Sequence, residues 1–252
     1  MQRYFIEVAY MGTNYSGFQT QQNAKTIQSE VELALKILCK EAILLTGSSR
    51  TDAGVHAIQN FFHTESKIVF TQRHIYHLNA ILPPQIVIKN IYAVSDTAHC
   101  RFDATARRYE YHIVRKKHPL LQDRSFYYPY TLDINLLEEM AIRLKSITDF
   151  KSFAKRHSQV NNFNCQIQAS FWKMQDDLLI YTVQGNRFLR GMVRGLTGTM
   201  LKLAKQKTGA DALVQIADAK DCAFADFSVP GKGLFLTSVI FDPSVYAGKE
   251  VK

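Results

Sequence analysis

SRTDAGVHA, residues 49–57, is a short polar segment between two apolar runs. The run 42–45 before it is typical of a buried strand, and the run 57–64 after it predicts a second strand. Asp52 is therefore expected on a tight connection between two core strands, where a short loop on a rigid scaffold can carry a catalytic group. Asp-x-Gly is also ordinary turn chemistry, and Arg50 beside Asp52 equally fits a simple loop ion pair.

Length and composition indicate a packed globular protein of one large domain or two small ones. The chain has 252 residues, of which 46% are hydrophobic and 12% aromatic. Its longest apolar runs are too short to span a membrane, and residues 1–5 open directly into a strand-like pattern without a signal-peptide core. We therefore expect a cytoplasmic protein that does not associate with membranes.

The cysteines give no sign of a metal or redox site. Cys39, Cys100, Cys165 and Cys222 lie far apart and form no C-x-x-C pair. This spacing argues against a zinc site or a dithiol redox motif and favours reduced, mostly buried thiols. Since the chain also has no Gly-rich phosphate loop, we expect neither a metal nor a cofactor.

The net charge of +9 is concentrated in two segments. Residues 101–124 carry seven basic and three acidic side chains, and residues 178–210 carry six basic and no acidic ones. Local, arginine-rich patches are typical of surfaces that bind a phosphate backbone. The alternative is a solvated basic surface that only improves solubility. The charge distribution favours a nucleic acid as the partner.

Hydrophobic periodicity predicts the same order of elements twice along the chain. The first half has strands near 3–10, 42–47, 57–65 and 86–94 and helices near 26–39, with Thr26 as N-cap, and 71–80. The second half has strands near 108–115, 165–175, 178–185 and 234–240 and helices near 133–145, 187–206 and 211–219. We therefore predict an α+β protein of two fused ferredoxin-like (β-α-β-β-α-β) halves, residues 1–97 and 98–252, around a central, mainly antiparallel sheet with a cleft between them.

Two groups in the second half could take part in chemistry. Tyr109 follows Arg107 and Arg108 on a strand, and its ring could stack on a flipped base, although a core aromatic is the ordinary role of a strand tyrosine. If 187–206 is one helix, Arg187, Arg190 and Arg194 share a face. Gly191, Gly195 and Gly198 lie beside that face, and each costs about 1 kcal/mol in a helix. Glycine at these positions would allow the close approach of another backbone or of RNA.

The segment RTDAGVH, residues 50–56, resembles the active-site motif of the TruA-type tRNA pseudouridine synthases. Further landmarks of that family are matched in the same order by YMGTNYSGFQ (10–19), RRY (107–109), MVR (192–194) and GLFL (233–236). The resemblance thus covers nearly the whole chain. The sequence departs from the family at Phe18, Thr20 and Ser49, where tryptophan, a basic residue and glycine are usual, and none of these changes removes a candidate catalytic group.

The resemblance implies isomerisation of uridine to pseudouridine at positions 38, 39 and 40 in the tRNA anticodon stem-loop, without metal or cofactor, by a homodimer. It implies Asp52 as the catalytic aspartate, Tyr109 as the active-site tyrosine and Arg194 as the partner of the aspartate. It leaves open whether Asp52 attacks the ribose, attacks the ring or abstracts a ribose proton. The other predicted RNA contacts are Arg50, Arg107, Arg108, Arg187 and Arg190.

Two other classes of protein remain as alternatives. A non-catalytic RNA-binding module of two RRM-like halves would explain the charge, but the aromatic run of RRM domains is missing. A metal-dependent nuclease could use Asp52, but no cluster of carboxylates stands beside it in the sequence.

Overall fold

The computed structural model describes residues 1–156 and 160–252, which form two compact units. The first unit is Met1–Thr105 with Leu236–Lys252, and the second is Ala106–Phe235. The protein is mixed α+β, and its strands pair mainly in antiparallel fashion. The predicted halves 1–97 and 98–252 have other bounds than these compact units and stay a prediction. Of the helices within the described ranges, none is long and apolar enough to cross a membrane.

Strands and helices are interspersed along the chain. The strands are β1 (Gln2–Tyr10), β2 (Thr46–Gly47), β3 (His56–Ser66), β4 (Ile86–Val94), β5 (Ala104–Val114), β6 (Phe126–Tyr127), β7 (Ile167–Gln175), β8 (Leu178–Gly185) and β9 (Leu234–Phe241). The helices are α1 (Ile27–Cys39), α2 (Gln72–Ile81), α3 (Ile134–Arg143), α4 (Met192–Gln206) and α5 (Asp211–Asp218).

In the first unit the strands run in the order β4-β1-β3-β9, and the short β2 also pairs with β3. β1 has antiparallel neighbours on both sides, so that Ile6 stands opposite Phe62 on β3 and Ile91 on β4. Side chains alternate between the faces of a strand, and both faces of β1 are covered. On one face Phe5 and Phe61 pack against Phe241, whose ring centroid lies 5.6 and 5.2 Å from theirs.

The helices of the first unit begin and end as predicted. Thr26 caps α1 in a capping box, because its Oγ1 accepts from the Ser29 N–H at 3.2 Å and the Ser29 Oγ accepts from the Thr26 N–H at 3.1 Å. α2 ends at Ile81, two residues before Pro83, which cannot continue a helix. Local sequence signals therefore determine both helices.

The predicted strand 42–47 is wrong for most of its length, since only Thr46–Gly47 is a strand. The backbone just before it is satisfied by side chains instead of by a neighbouring strand. The Leu45 N–H donates to the Glu32 carboxylate at 3.1 Å, and the Leu45 carbonyl accepts from the Gln28 amide at 2.8 Å. Leu44 is 82% exposed, although it belongs to an apolar run.

In the second unit the strand order is β5-β8-β7. The short β6 pairs in parallel with the last two residues of β5, Ile113 and Val114. Tyr109, Tyr111 and Ile113 lie on the more buried face of β5, and they alternate with the less buried Glu110 and His112. The hairpin between β7 and β8 turns at Asp176, which has a φ of 51°. This turn lies between the two strands predicted near 165–175 and 178–185.

His63 on β3 has surroundings that disfavour its charged form. Its Nδ1 lies 3.2 Å from the Cys100 Sγ, and its ring centroid is 4.4 Å from that of His99. Burial, and then the neighbouring charges of His99 and Arg3, lower the pKa of His63 to about 4, against the smaller opposing effects of Glu65 and Asp103.

We expect the first unit to lose stability as the pH falls from about 6.5 towards 4, because the unfolded chain binds the His63 proton at a higher pH than the folded one. In His63→Gln, the free energy of unfolding should change less between pH 7 and pH 5 than in the wild type, by about 1 kcal/mol. Urea denaturation at both pH values measures this. His77→Gln on α2 is the control, and equal pH dependence in all three proteins would contradict the assignment.

Candidate active site

Asp52 lies in the loop 48–55 that connects β2 with β3, as predicted. Its carbonyl accepts a hydrogen bond from the Val55 N–H at 3.2 Å, which closes a tight turn. Thr51 before it is buried, Arg50 is exposed, and the Asp52 side chain is partly exposed. Within the described residues no three His, Cys, Asp or Glu side chains gather into a possible metal site. The local structure is thus a turn, and it presents one carboxylate at the surface of the first unit.

Buried hydrogen bonds hold the backbone beside Asp52. The Tyr10 hydroxyl lies 2.8 Å from the Thr51 Oγ1, and the Asn60 amide donates to the Tyr10 hydroxyl at 3.2 Å and to the Ser49 carbonyl at 2.8 Å. Asn60 is 0% exposed, so that an unpaired polar group there would cost about 1–3 kcal/mol. Sequence reasoning assigned no role to Tyr10 or Asn60. A polar residue in the middle of the apolar run 57–64 was the only available signal for Asn60.

The segment 11–18 also forms hydrogen bonds with the loop 48–55 and with His56, which follows it. The Gly12 N–H donates to the His56 Nδ1 at 3.2 Å, and the Phe18 N–H donates to the Thr51 carbonyl at 3.1 Å. The Phe18 ring stacks on Phe62 with centroids 4.6 Å apart. His56 therefore supports the loop, and Phe18 fills a core position at the place where the family usually has tryptophan.

The second unit distinguishes two neighbouring tyrosines on β5. Tyr111 is fully buried, its hydroxyl donates to the Pro230 carbonyl at 2.7 Å, and burial raises its pKa far above the ordinary value. Tyr109 is 8% exposed, and its ring meets Phe188 edge to face with centroids 5.0 Å apart. The Tyr111 hydroxyl thus serves the core, which leaves Tyr109 as the better candidate for contact with a substrate.

The two arginines before Tyr109 lie on opposite faces of β5, because side chains alternate along a strand. Arg107 is only 9% exposed and donates through its Nη1 to the Asn186 carbonyl at 3.1 Å. Arg108 is exposed, and its Nε donates to the Gln184 side chain at 3.0 Å. Of this pair, Arg108 is the one with the exposed side chain.

The predicted helix 187–206 is wrong at its start, because α4 begins at Met192. Gly191 has a φ of 73°, a left-handed conformation that glycine adopts without strain and that ends any helix before it. The Arg190 carbonyl accepts from the Lys155 N–H at 2.9 Å, a partner outside the helix. Arg187 and Arg190 therefore lie on an irregular segment and do not share a helix face with Arg194.

Arg194 lies in the first turn of α4, bound to the segment 226–229. Its Nε donates to the Val229 carbonyl at 2.8 Å, and its Nη2 donates to the Phe227 carbonyl at 3.4 Å. These bonds orient the guanidinium. A positive side chain at a helix N-terminus opposes the helix dipole, so that a neighbouring anion would be favourable there.

The glycines of α4 make room for that segment. A Cβ at Gly198 would lie 2.3 Å from the Asp226 carbonyl oxygen, and one at Gly195 would lie 2.7 Å from the Phe227 ring. The Asp226 N–H also donates to the Thr199 Oγ1 at 2.9 Å. Of the two explanations that the sequence offered for these glycines, the close approach of another backbone is the one that Gly198 meets.

Comparison with known proteins agrees with these observations. The family model of tRNA pseudouridine synthase matches residues 6–103 and 141–242. The chain belongs to this family, which confirms the resemblance drawn from RTDAGVH; its members are isomerases that make pseudouridine in tRNA.

The curated relatives match over nearly their full length. The chain is 37% identical over 251 residues to tRNA pseudouridine synthase A of Parabacteroides distasonis, which covers 98% of each chain. It is 38% identical over 240 residues to that of Azobacteroides pseudotrichonymphae, covering 95% of this chain and 96% of the relative. For that of Staphylococcus aureus strain Newman the identity is 33% over 244 residues, covering 95% and 91%.

Gly198→Ala should destabilise the second unit even though alanine is the better helix former by about 1 kcal/mol. The added methyl group would meet the Asp226 backbone and displace the segment that orients Arg194. Thermal unfolding should show a lower midpoint than in the wild type. Gly209→Ala is the control, because a Cβ there meets nothing within 4 Å. A Gly198→Ala midpoint equal to that of Gly209→Ala would refute the packing argument.

Proposed function

We propose that this chain converts uridine to pseudouridine at positions 38, 39 and 40 of the tRNA anticodon stem-loop, with Asp52 as the essential catalytic residue. The observation that carries this proposal is the partly exposed Asp52 carboxylate on a turn held by the buried Tyr10–Thr51–Asn60 hydrogen bonds. A fixed backbone favours catalysis because the carboxylate then needs little reorganisation before it reacts.

The reaction rearranges bonds within one nucleotide. The bond between C1′ of the ribose and N1 of uracil breaks, the base turns, and C1′ bonds to C5. N1 takes up a proton, and the proton of C5 passes to the solvent. Oxidation state is unchanged, so that the step needs no redox cofactor. Asp52 attacks the ribose, attacks the ring or abstracts a ribose proton, and in each case it acts as an ionised carboxylate. The target uridine must first leave its stack, which costs a few kcal/mol.

Two residues of the second unit complete the proposed chemistry. Tyr109 would stack on the flipped uracil and replace part of the lost base stacking. Of the two tyrosines, Tyr109 is the better candidate because the Tyr111 hydroxyl is already bonded to the Pro230 carbonyl in the core. Arg194 would keep Asp52 ionised and oriented. The hydrogen bonds from the Arg194 guanidinium to the Val229 and Phe227 carbonyls orient it and so support this role.

The remaining arginines would contact the tRNA backbone. Arg50, Arg108 and Arg190 have exposed side chains suited to phosphate groups. Arg187 is half-buried and would reach a phosphate with its exposed part. Arg107 is buried, and its charge would attract the tRNA backbone without direct contact.

The wider organisation is also a proposal. Two ferredoxin-like halves are supported by the antiparallel pairs β2-β3 and β7-β8, one in each half. The RNA in a cleft between the halves rests on the family resemblance. Cytoplasmic action is supported by the cysteines, all four of which are free thiols. The homodimer rests on the family resemblance, and light scattering of the purified protein would test it.

Asp52→Ala should reduce tritium release from tRNA labelled at C5 of uridine by at least about 100-fold in the presence of EDTA, because the variant lacks the reacting carboxylate. Its affinity for tRNA should stay within a few fold of the wild type. Asp96→Ala, an exposed aspartate elsewhere in the first unit, should keep full activity. Turnover by Asp52→Ala, or dependence of the wild type on a divalent cation, would overturn the mechanism.

Arg187→Gln with Arg190→Gln should weaken the salt dependence of tRNA binding. The slope of log affinity against log salt should become less steep by about 0.7–0.9 for each phosphate that the variant no longer neutralises. The control removes two exposed lysines of the first unit, Lys36→Gln with Lys67→Gln. If both pairs change the slope equally, these arginines do not contact the tRNA backbone.

A further inference from the structure

A basic cavity of about 200 Å³ opens on the second unit, outside both basic segments recognised in the sequence. Its charged lining includes Lys151, Lys155, Arg156 and Lys220, and the Phe163 ring forms an apolar wall. The Lys151 ammonium lies 5.9 Å from the centre of that ring. The four basic residues are exposed, and they come from two distant stretches of the chain.

The fold fixes this convergence. Residues Lys151–Phe153 form a short 3-10 helix whose Phe153 is buried. The Ser152 hydroxyl donates to the Ala217 carbonyl of α5 at 3.3 Å. These contacts hold Lys151 beside Lys220, which follows the end of α5. The cavity is therefore built by packed elements, although its lysine side chains reach solvent.

The carboxylate that lines the cavity, Asp221, and the neighbouring Asp149 already have partners. Asp149 accepts from the Lys220 ammonium at 3.3 Å and from the Lys151 N–H at 3.0 Å. Asp221 accepts from the Ala223 N–H at 2.9 Å. The lining thus has four cations and one carboxylate, and its net charge stays positive at neutral pH even when the neighbouring Asp149 is counted.

The cavity adjoins the segment that carries Arg190. The Lys155 N–H donates to the Arg190 carbonyl at 2.9 Å, and a Cβ at Gly191 would lie 3.3 Å from the Lys155 Cβ. Positive charge therefore continues from the segment 187–194 into the cavity. A polyanion bound along that segment would meet the cavity next.

We propose that this cavity binds phosphate groups of the tRNA backbone away from the target uridine. The inference rests on the proposed function, because it takes the bound tRNA as the polyanion. Lysine and arginine supply charge for phosphates, and the Phe163 ring offers a surface on which a ribose or base can pack. The cavity then extends the contact with tRNA and fixes its direction across the second unit.

The test is tRNA binding at several salt concentrations by Lys151→Gln with Lys220→Gln. The slope of log affinity against log salt should become less steep by about 1.4–1.8, since two phosphates would no longer be neutralised. Lys36→Gln with Lys67→Gln removes the same charge elsewhere and should change the slope much less. Lys151→Arg with Lys220→Arg keeps the charge and should retain the slope of the wild type, and thermal unfolding verifies that each variant folds.

A slope in Lys151→Gln with Lys220→Gln equal to that of the control pair would overturn the proposal. Tritium release by the wild type tests the proposed function separately. Release by the wild type together with an unchanged slope would remove the cavity from the binding surface and leave the function intact. A changed slope without release would keep the cavity as an RNA-binding site and remove the isomerase function.

Discussion

The hydrogen bond between Tyr10 and Thr51 is the interaction on which the candidate site depends. Tyr10 ends β1, at a register shift that brings it opposite Ala57, and Asn60 lies three residues further along β3. The loop that carries Asp52 is thereby bonded to two central strands rather than only connected to them. Because these groups are buried, the loss of one partner leaves the others unsatisfied, and the network favours a single loop conformation.

A comparable constraint orients Arg194 in the second unit. The guanidinium donates to carbonyls of the segment 226–229, and that segment can approach α4 only because Gly198 has no side chain. Each glycine weakens the helix by about 1 kcal/mol, a cost that a well-oriented charge-assisted hydrogen bond of about 1.5–3 kcal/mol offsets. The helix therefore has a lower intrinsic stability than one with alanine at these positions, and it gains one oriented cation.

Sequence reasoning succeeded where local signals determine the structure. Thr26 and Pro83 bound the first two helices, and the alternation around Tyr109 gives the buried face of β5. It failed where distant side chains take over backbone groups. Glu32 bonds the backbone of a predicted strand, and Lys155 bonds the Arg190 carbonyl from 35 positions earlier in the chain. Likewise the motif singles out Asp52 as a candidate, whereas Tyr10 and Asn60 become visible as supports of its loop only once β1 and β3 are paired.

The chemistry itself explains why so much positive charge is needed away from the reacting groups. Uracil is neutral, and flipping it out of a stem-loop costs a few kcal/mol before any bond changes. One stacking ring returns about 1–3 kcal/mol, so that the remainder must come from contacts to the rest of the tRNA. Phosphate contacts can supply it only if their cations are already in place, since ordering a lysine or arginine side chain costs up to about 2 kcal/mol. Lys151 lies on a packed turn beside the buried Phe153, so that its backbone is already ordered and a phosphate contact would have to order only its side chain.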